Sequence, residues 1–179
     1  VEDFLASNKR KTYVATTKEM ADFEPLGAHR VINMTRAYLK IQEGCQQYCS
    51  YCIIPYARGP LRSRKMADIL AEVRNLEEAN FQELILTGTH IGAYGEEDGN
   101  EGYDLADVCA QILANSSIPR LRLGSIEPTE VTDKLLQLMV KNPRMCRQLH
   151  MPLQSGSDEV LKRMKRPYKT DDYRKIVKK

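Results

Sequence analysis

Three cysteines that could bind iron lie within eight residues of each other: Cys45, Cys49 and Cys52. Their C-x₃-C-x₂-C spacing puts three thiols on one tight loop, and thiolate is the usual protein ligand of iron–sulfur clusters. A [4Fe–4S] cube has four irons, so three ligands leave one iron open, as a catalytic metal centre requires. The spacing therefore predicts a cluster with one open coordination position.

Two other interpretations of this loop stay open at the level of sequence. A zinc site would need a fourth ligand at a customary spacing, and His90 and His150 belong to other segments. A redox pair formed by Cys49 and Cys52 would leave Cys45 without a role. The cluster is favoured because it uses all three thiols, and a non-catalytic zinc or nucleic-acid-binding module is the rival of another class.

Composition narrows the class of protein further. The 179 residues include 27 Lys and Arg against 24 Asp and Glu, so the net charge of +3 permits a nucleic-acid partner without requiring one. Five cysteines, three of them clustered, do not suit a secreted disulfide scaffold. No apolar run approaches the roughly 20 residues of a membrane helix. We therefore expect a cytoplasmic protein without a membrane partner, in which Cys109 and Cys146 are buried core thiols.

Four short apolar runs predict strands that carry these chemical groups. They cover residues 37–41, 84–86, 121–126 and 148–151. A helical stripe follows each run, and four such units predict a parallel sheet with helical crossovers. The first stripe begins at Met66, the second follows an N-cap at Asp104, and the third ends near Asn142. Ser157 is predicted to cap the fourth helix, and a last helix begins near Thr170.

Polar or glycine-rich segments follow each predicted strand. In parallel α/β sheets, ligands bind beyond the carboxyl ends of the strands. The cysteine loop and the segments 87–90, 125–128 and 152–156 should therefore meet at one rim of the sheet. This agreement between pattern and chemistry predicts a single site.

The amino-acid sequences of several segments resemble those of the methylthiotransferases in the radical S-adenosylmethionine family. The similar stretches are the cysteine loop with its aromatic residue before the last cysteine and the segments 36–45, 52–64, 86–95, 150–157 and 160–164. The resemblance covers nearly the whole chain from Arg36 onward. It implies a partial (β/α) barrel, incomplete here with about four strand–helix units.

The resemblance also implies an activity. In that family a [4Fe–4S] cluster binds S-adenosylmethionine through its open iron and yields a 5′-deoxyadenosyl radical. Within the family, the segments Gln-Glu-Gly-Cys and Arg-Gly-Pro-Leu-Arg-Ser-Arg are most similar to enzymes that methylthiolate C2 of threonylcarbamoyladenosine in tRNA. Sibling enzymes act on isopentenyladenosine in tRNA or on a ribosomal-protein aspartate.

Individual residues take roles by the same resemblance. Cys45, Cys49 and Cys52 would ligate the cluster, and the ring of Tyr51 would lie beside the adenine of S-adenosylmethionine. Thr87 and Gly88 match the place that holds the methionine moiety. The remaining candidates are expected to hydrogen-bond the ribose or methionyl groups: Ser125, Glu127, Gln154 and Ser155.

Basic residues and histidines complete the candidates. Lys and Arg neutralise phosphates, so Arg58, Arg62 and Arg64 after the cysteine loop are candidate contacts to tRNA. A second basic group is interpreted as a solvated helix face: Lys162, Arg163, Lys165, Arg166 and Lys169. His90 and His150 are interpreted as hydrogen-bonded structural residues.

The resemblance finally implies partners and flanking parts. Residues 1–36 are expected to be a linker or the tail of a preceding domain, and 37–179 a radical core truncated at its C-terminal end. A second [4Fe–4S] cluster would come from an N-terminal domain absent here, and a flavodoxin or ferredoxin would supply single electrons. We expect a monomer that cannot complete methylthiolation as this piece alone.

Overall fold

Strands and helices alternate along the part of the chain that the computed structural model describes, which is residue 23, residues 35–97 and residues 102–179. The strands are β1 (Arg36–Glu43), β2 (Arg62–Ser63), β3 (Glu83–Gly88) and β4 (Arg120–Leu123). The helices are α1 (Ile54–Arg58), α2 (Met66–Glu78), α3 (Leu105–Asn115), α4 (Asp133–Lys141), α5 (Asp158–Arg163) and α6 (Thr170–Lys178). Short 3₁₀ turns at Ile91–Ala93 and Pro128–Glu130 follow β3 and β4.

The strands form one sheet in the order β2-β1-β3-β4. β1, β3 and β4 run parallel, whereas β2 pairs antiparallel with the end of β1. Alternate residues of β1 are buried, and Leu39, Leu84 and Leu86 belong to one core with the apolar faces of α2, α3 and α4. Because these three strands run parallel, their carboxyl ends lie at one rim of the sheet.

The predicted start of α3 is confirmed by its capping geometry. The Asp107 amide donates to the Asp104 side chain at 2.8 Å, and the Asp104 amide donates to the Asp107 side chain at 3.1 Å. This reciprocal pair satisfies two amides that a helix N-terminus otherwise leaves without partners. The apolar stripe behind the cap is buried, including Cys109, which is fully buried as predicted.

The predicted strand at 148–151 is wrong. This part of the chain runs beside β4 but makes only isolated parallel bridges, Leu121 with Met145 and Ser125 with His150. The Gln148 amide donates to the Cys146 carbonyl at 2.8 Å, so a local turn uses a donor that a ladder would need. Three parallel strands and a bridged segment therefore stand where four strand–helix units were expected.

Two further expectations differ from the structure in detail. β4 ends at Leu123, although the strand was predicted to reach residue 126, and the short elements α1 and β2 were not predicted. Ser157 does occupy the N-cap position of α5, but its side chain makes no capping bond. The predicted 1–36 segment lies almost entirely outside the described residues. Among the residues that are described, no helix has the length and apolarity to span a membrane.

Candidate metal and cofactor site

The cysteine loop is closed at both ends against the end of β1. It leaves the strand after Glu43, continues through α1 and returns as β2, whose Arg62 and Ser63 pair with Glu43 and Gln42. The Gln42 side chain is fully buried; its amide nitrogen donates to the carbonyls of Glu43 and Gly44, at 2.7 and 2.8 Å. Its oxygen accepts from the His90 amide at 2.6 Å, which fixes the loop after β3 to the same point.

Gly44 makes the close return of the chain possible. Its φ of +77° lies in the left-handed region, and a Cβ added here would lie 1.8 Å from the Pro60 carbonyl oxygen. The neighbouring Cys45 amide donates to the Gly59 carbonyl at 3.2 Å. Glycine is required because a side chain would occupy the space of the returning backbone.

The three cysteines of this loop form no disulfide bond and have free thiols. Cys49 is buried, whereas Cys45 and Cys52 are half-buried. The Cys52 amide donates to the Cys49 carbonyl at 3.0 Å, and the Gln47 amide points to the Cys45 sulfur at 3.5 Å. Backbone donors around cysteine sulfurs are typical of sites that stabilise thiolate.

The three thiols are donors of the kind that a [4Fe–4S] cluster uses. Within the described parts of the chain, no three His, Cys, Asp or Glu side chains are arranged so that they could hold one metal ion. A [4Fe–4S] cluster does not need such convergence, because each thiolate binds a different iron. The arrangement gives no support to the alternative of one zinc ion.

His90 is hydrogen-bonded, as interpreted from sequence, and two of its partners belong to the cysteine loop. Its Nδ1 is 3.7 Å from the Cys45 sulfur, and its Nε2 is bonded to the Glu130 carboxylate. Burial opposes protonation of the imidazole, but the bonds to Cys45 and Glu130 outweigh it and raise the pKa of His90 to about 10. Burial likewise opposes ionisation of Cys45, but the hydrogen bonds from His90 and from the Gln47 amide, together with the charge of His90, outweigh it, so the pKa of the thiol is lowered. The imidazolium thus favours a thiolate at Cys45.

Arg166 is the residue of the site that the sequence analysis misplaced. It is buried, not solvated, and its Nη1 donates to the Cys49 sulfur at 3.0 Å and to the Gln47 side-chain oxygen at 3.3 Å. Its Nη2 bonds the Glu127 carboxylate, and the guanidinium lies 5.3 Å from the centre of the Tyr168 ring. The interpretation of this basic group as a solvated face is therefore wrong for Arg166.

The predicted cofactor residues occupy two parts of the rim. Tyr51 and Glu127 both lie near Arg166; burial raises the pKa of the Tyr51 hydroxyl, and the Arg166 guanidinium opposes that rise. Gly88 ends β3 beside Gln42, where a Cβ would lie 2.7 Å from the Gln42 carbonyl oxygen. Thr87 immediately precedes it.

The other three predicted cofactor residues lie further along the rim. Ser125 Oγ is hydrogen-bonded to His150 Nδ1 at 2.7 Å, which agrees with a structural role for His150. Gln154 is exposed with a φ of +65°, and Ser155 Oγ accepts from the Ser157 amide at 3.2 Å. The side chains of Ser125 and Ser155 therefore already have local partners.

Two of the three predicted RNA-binding arginines point inward, and this corrects the expectation for them. Arg62 is 8% exposed and donates to the carbonyls of Pro60 and Arg58, at 3.1 and 3.0 Å. Arg64 is 5% exposed and donates to the Glu72 carboxylate at 3.4 Å. Both guanidinium groups are buried and occupied by protein acceptors, so they are not available to a phosphate. Arg58, whose side chain is exposed, is the one of the three that is available.

Exposed aromatic side chains lie along the cysteine loop, and of these only Tyr51 was identified from sequence. Tyr48 and Tyr56 pack edge to face with ring centres 5.7 Å apart, and both are about half exposed or more. Tyr51 and Ile53 are exposed beside them. Such rings offer stacking faces to a flat ligand.

Comparisons with known proteins extend this geometry. The family profile described as the Radical SAM superfamily matches residues 39–179. Threonylcarbamoyladenosine tRNA methylthiotransferase MtaB of Bacillus subtilis (strain 168) is 40% identical over 147 residues, which are 82% of this chain and 32% of that protein. Ribosomal protein uS12 methylthiotransferase RimO of Desulfotalea psychrophila is 44% identical over 144 residues, 80% of this chain and 32% of that protein. A tRNA-2-methylthio-N(6)-dimethylallyladenosine synthase of Anoxybacillus flavithermus is 38% identical over 144 residues, 80% of this chain and 27% of that protein.

Solved structures confirm the predicted fold class. The radical S-adenosylmethionine methyltransferase TsrM from Kitasatospora setae superposes with a TM-score of 0.60 at 17% identity, over 79% of this chain and 28% of that one. The cobalamin-dependent S-adenosylmethionine radical enzyme OxsB gives 0.58 at 14% identity, over 76% and 21%. The sheet is thus part of a TIM-type (β/α) barrel, and the chain spans about a third of the length of the curated relatives it matches.

Proposed function

Because the chain belongs to the radical SAM superfamily, we propose that its cysteine loop holds a [4Fe–4S] cluster through Cys45, Cys49 and Cys52. Enzymes of this superfamily use such a cluster together with S-adenosylmethionine. The observation that carries the assignment is the loop itself: three free thiols on a segment closed at both ends against β1. When bound, the two cofactors supply a 5′-deoxyadenosyl radical that abstracts hydrogen from the substrate.

The chain's own residues position these groups. Gln42 and Gly44 hold the loop at the end of β1, and His90 keeps Cys45 beside the segment that follows β3. The exposed ring of Tyr51 would offer a stacking face to adenine. Gly88 lets backbone approach closely at the place proposed for the methionine moiety, beside Thr87. Glu127, Ser125, Gln154 and Ser155 are proposed as polar contacts further along the rim.

We infer that the complete enzyme transfers a methylthio group. This inference is supported by the names of the three relatives above, all of which describe that chemistry. We propose C2 of threonylcarbamoyladenosine in tRNA as the substrate. The support for this choice is the resemblance of segments 42–45 and 58–64 to the enzymes that act on it. Isopentenyladenosine in tRNA and an aspartate of a ribosomal protein are the alternatives, since relatives of each kind match at similar identity.

An RNA substrate also suits the surface around the thiols. The rings of Tyr48 and Tyr56 can stack on an unpaired base, and Arg58 can approach a phosphate. The core at 37–179 would act with further domains that contribute a second cluster. A flavodoxin or ferredoxin would deliver the electrons.

Anaerobic reconstitution tests the assignment. The chain should bind about four irons and four sulfides after incubation with iron and sulfide, and the reduced cluster should give an electron paramagnetic resonance signal that changes when S-adenosylmethionine is added. Cys49→Ala should abolish the signal, whereas Cys109→Ala, a matched change outside the loop, should retain it. Binding of zinc without iron, or a spectrum unaffected by S-adenosylmethionine, would refute the proposed function.

A further inference from the structure

Arg166 brings a charged group from the far end of the fold to the middle cysteine. It lies 117 positions after Cys49 in sequence, yet its Nη1 is 3.0 Å from the Cys49 sulfur. The same nitrogen is 3.3 Å from the Gln47 side-chain oxygen, so two residues of the loop share one donor. A buried guanidinium needs anions or hydrogen-bond acceptors around it, because removing it from water is otherwise costly.

The inward direction of Arg166 follows from how α5 ends. Lys165 adopts a φ of +56°, its amide donates to the Lys162 carbonyl, and the Arg166 amide donates to the Leu161 carbonyl. These two bonds form a Schellman cap, in which the residue after the left-handed position turns back onto the helix and normally makes an apolar contact. Here that residue is an arginine, and its side chain extends along the interior towards the cysteine loop.

A backbone contact reinforces this junction. The Ser50 amide, next to Cys49, donates to the Met164 carbonyl at 3.2 Å. The cysteine loop is therefore held by the C-terminal turn of α5 through both backbone and side chain. A change at Arg166 would act on Cys49 directly.

Two of the three nitrogens of the guanidinium have hydrogen-bond partners among the described residues. Glu127 is the carboxylate bonded to Nη2, and the Tyr168 ring covers one face at 5.3 Å. Nε has no hydrogen-bond partner among the described residues. The remaining direction, through Nη1, points to sulfur.

We propose that Arg166 is a positioning residue that clamps the Cys49 sulfur and raises the reduction potential of the cluster bound there. This proposal rests on the proposed function, since it needs a cluster at Cys49. One-electron reduction adds negative charge to the cluster, and a buried cation that donates to a ligand sulfur stabilises the reduced form more than the oxidised form. Glu127 moderates the effect because it neutralises part of the same charge.

Potentiometric titration of the reconstituted chain, followed by electron paramagnetic resonance, tests this proposal. In Arg166→Met we expect the ratio of reduced to oxidised cluster at a fixed potential to fall about tenfold, which corresponds to 59 mV for one electron. Arg166→Lys keeps the charge and should recover part of that loss. Glu127→Gln removes the opposing charge and should shift the ratio in the other direction. Arg163→Met, a change to an exposed arginine of α5, is the matched control and should leave the ratio unchanged.

The outcomes distinguish a failure of the Arg166 proposal from a failure of the proposed function. If the unaltered chain binds no cluster, the proposed function fails. If the chain binds a cluster whose potential is the same with Arg166→Met and Glu127→Gln, the clamp is wrong although the function stands. If circular dichroism shows that Arg166→Met does not fold, the opposite shifts in reduction potential expected from Arg166→Lys and Glu127→Gln decide the question. A purely structural role would give shifts of one sign or none.

Discussion

Replacing Gly44 by alanine should break the closure of the cysteine loop. Two separate effects act at this position: a positive φ of +77°, and a Cβ that would lie 1.8 Å from the Pro60 carbonyl oxygen. A non-glycine residue in the left-handed region costs about 1–2 kcal/mol. Real Cβ contacts are almost never under 3.0 Å, so the returning backbone must move by roughly 1 Å and would lose the bond from Cys45 to Gly59, worth about 1 kcal/mol.

The expected loss is therefore at least about 2–3 kcal/mol in the free energy of unfolding, together with poor iron binding. Urea denaturation followed by circular dichroism measures the first, and iron analysis after reconstitution measures the second. Gly102→Ala is a matched control: Gly102 has a φ of +80°, but an added Cβ would meet no atom of the described residues within 4 Å. It isolates the backbone effect, for which we expect about 1–2 kcal/mol and normal iron binding. If Gly44→Ala cost no more than Gly102→Ala and bound iron fully, the steric reasoning would be refuted.

Three further predictions concern other parts of the chain. Burial raises the pKa of the Cys109 thiol to about 12, so iodoacetamide should label Cys52 of the folded, cluster-free chain at least about tenfold faster; equal labelling in peptide mass spectrometry would contradict the packing of α3. Two arginines of β4 lower the pKa of Glu83, so Glu83→Gln should cost about 0.5–1 kcal/mol at pH 7. Because a lowered carboxyl pKa stabilises the fold above the unfolded value and loses that effect as the pH falls, urea titrations of variant and parent should converge below about pH 3. Arg58→Gln should weaken tRNA binding in a filter assay and reduce the slope of log affinity against log salt concentration by about one, without altering stability. Arg62→Gln should instead destabilise the chain. The reverse pair of results would show that the two side chains are misplaced.

The elements with a long pattern could be predicted from sequence because their signals are local. The stripe that begins at Met66 and the cap at Asp104 each depend on residues within a few positions, and both are observed. The short elements α1 and β2 could not be predicted, since five and two residues are too few for a periodicity. The run at 148–151 had the composition of a strand, but whether it joins a ladder depends on the turn at Cys146.

The candidate site divides in the same way. The three cysteines could be found because their chemistry is written in their spacing. The burial of Arg166 could not, since it depends on a loop 117 positions away and on a helix cap whose last residue usually faces the core. The same limit applies to Arg62 and Arg64. Their charged run predicts exposure, and only the pairing of β2 with β1 shows that this part of the chain is buried.

The pairing of β2 with the end of β1 also bears on how the metal centre would assemble. A segment whose ends are already joined has lost most of its chain entropy before any cofactor arrives. In zinc fingers, by contrast, binding of the metal and folding are one event. Here the pairing of β2 with β1 orders the segment, and a cluster would bind thiols on a loop that is already closed. Removal of iron by a chelator should accordingly leave the secondary structure in place, so that the cluster can bind and dissociate without unfolding the chain.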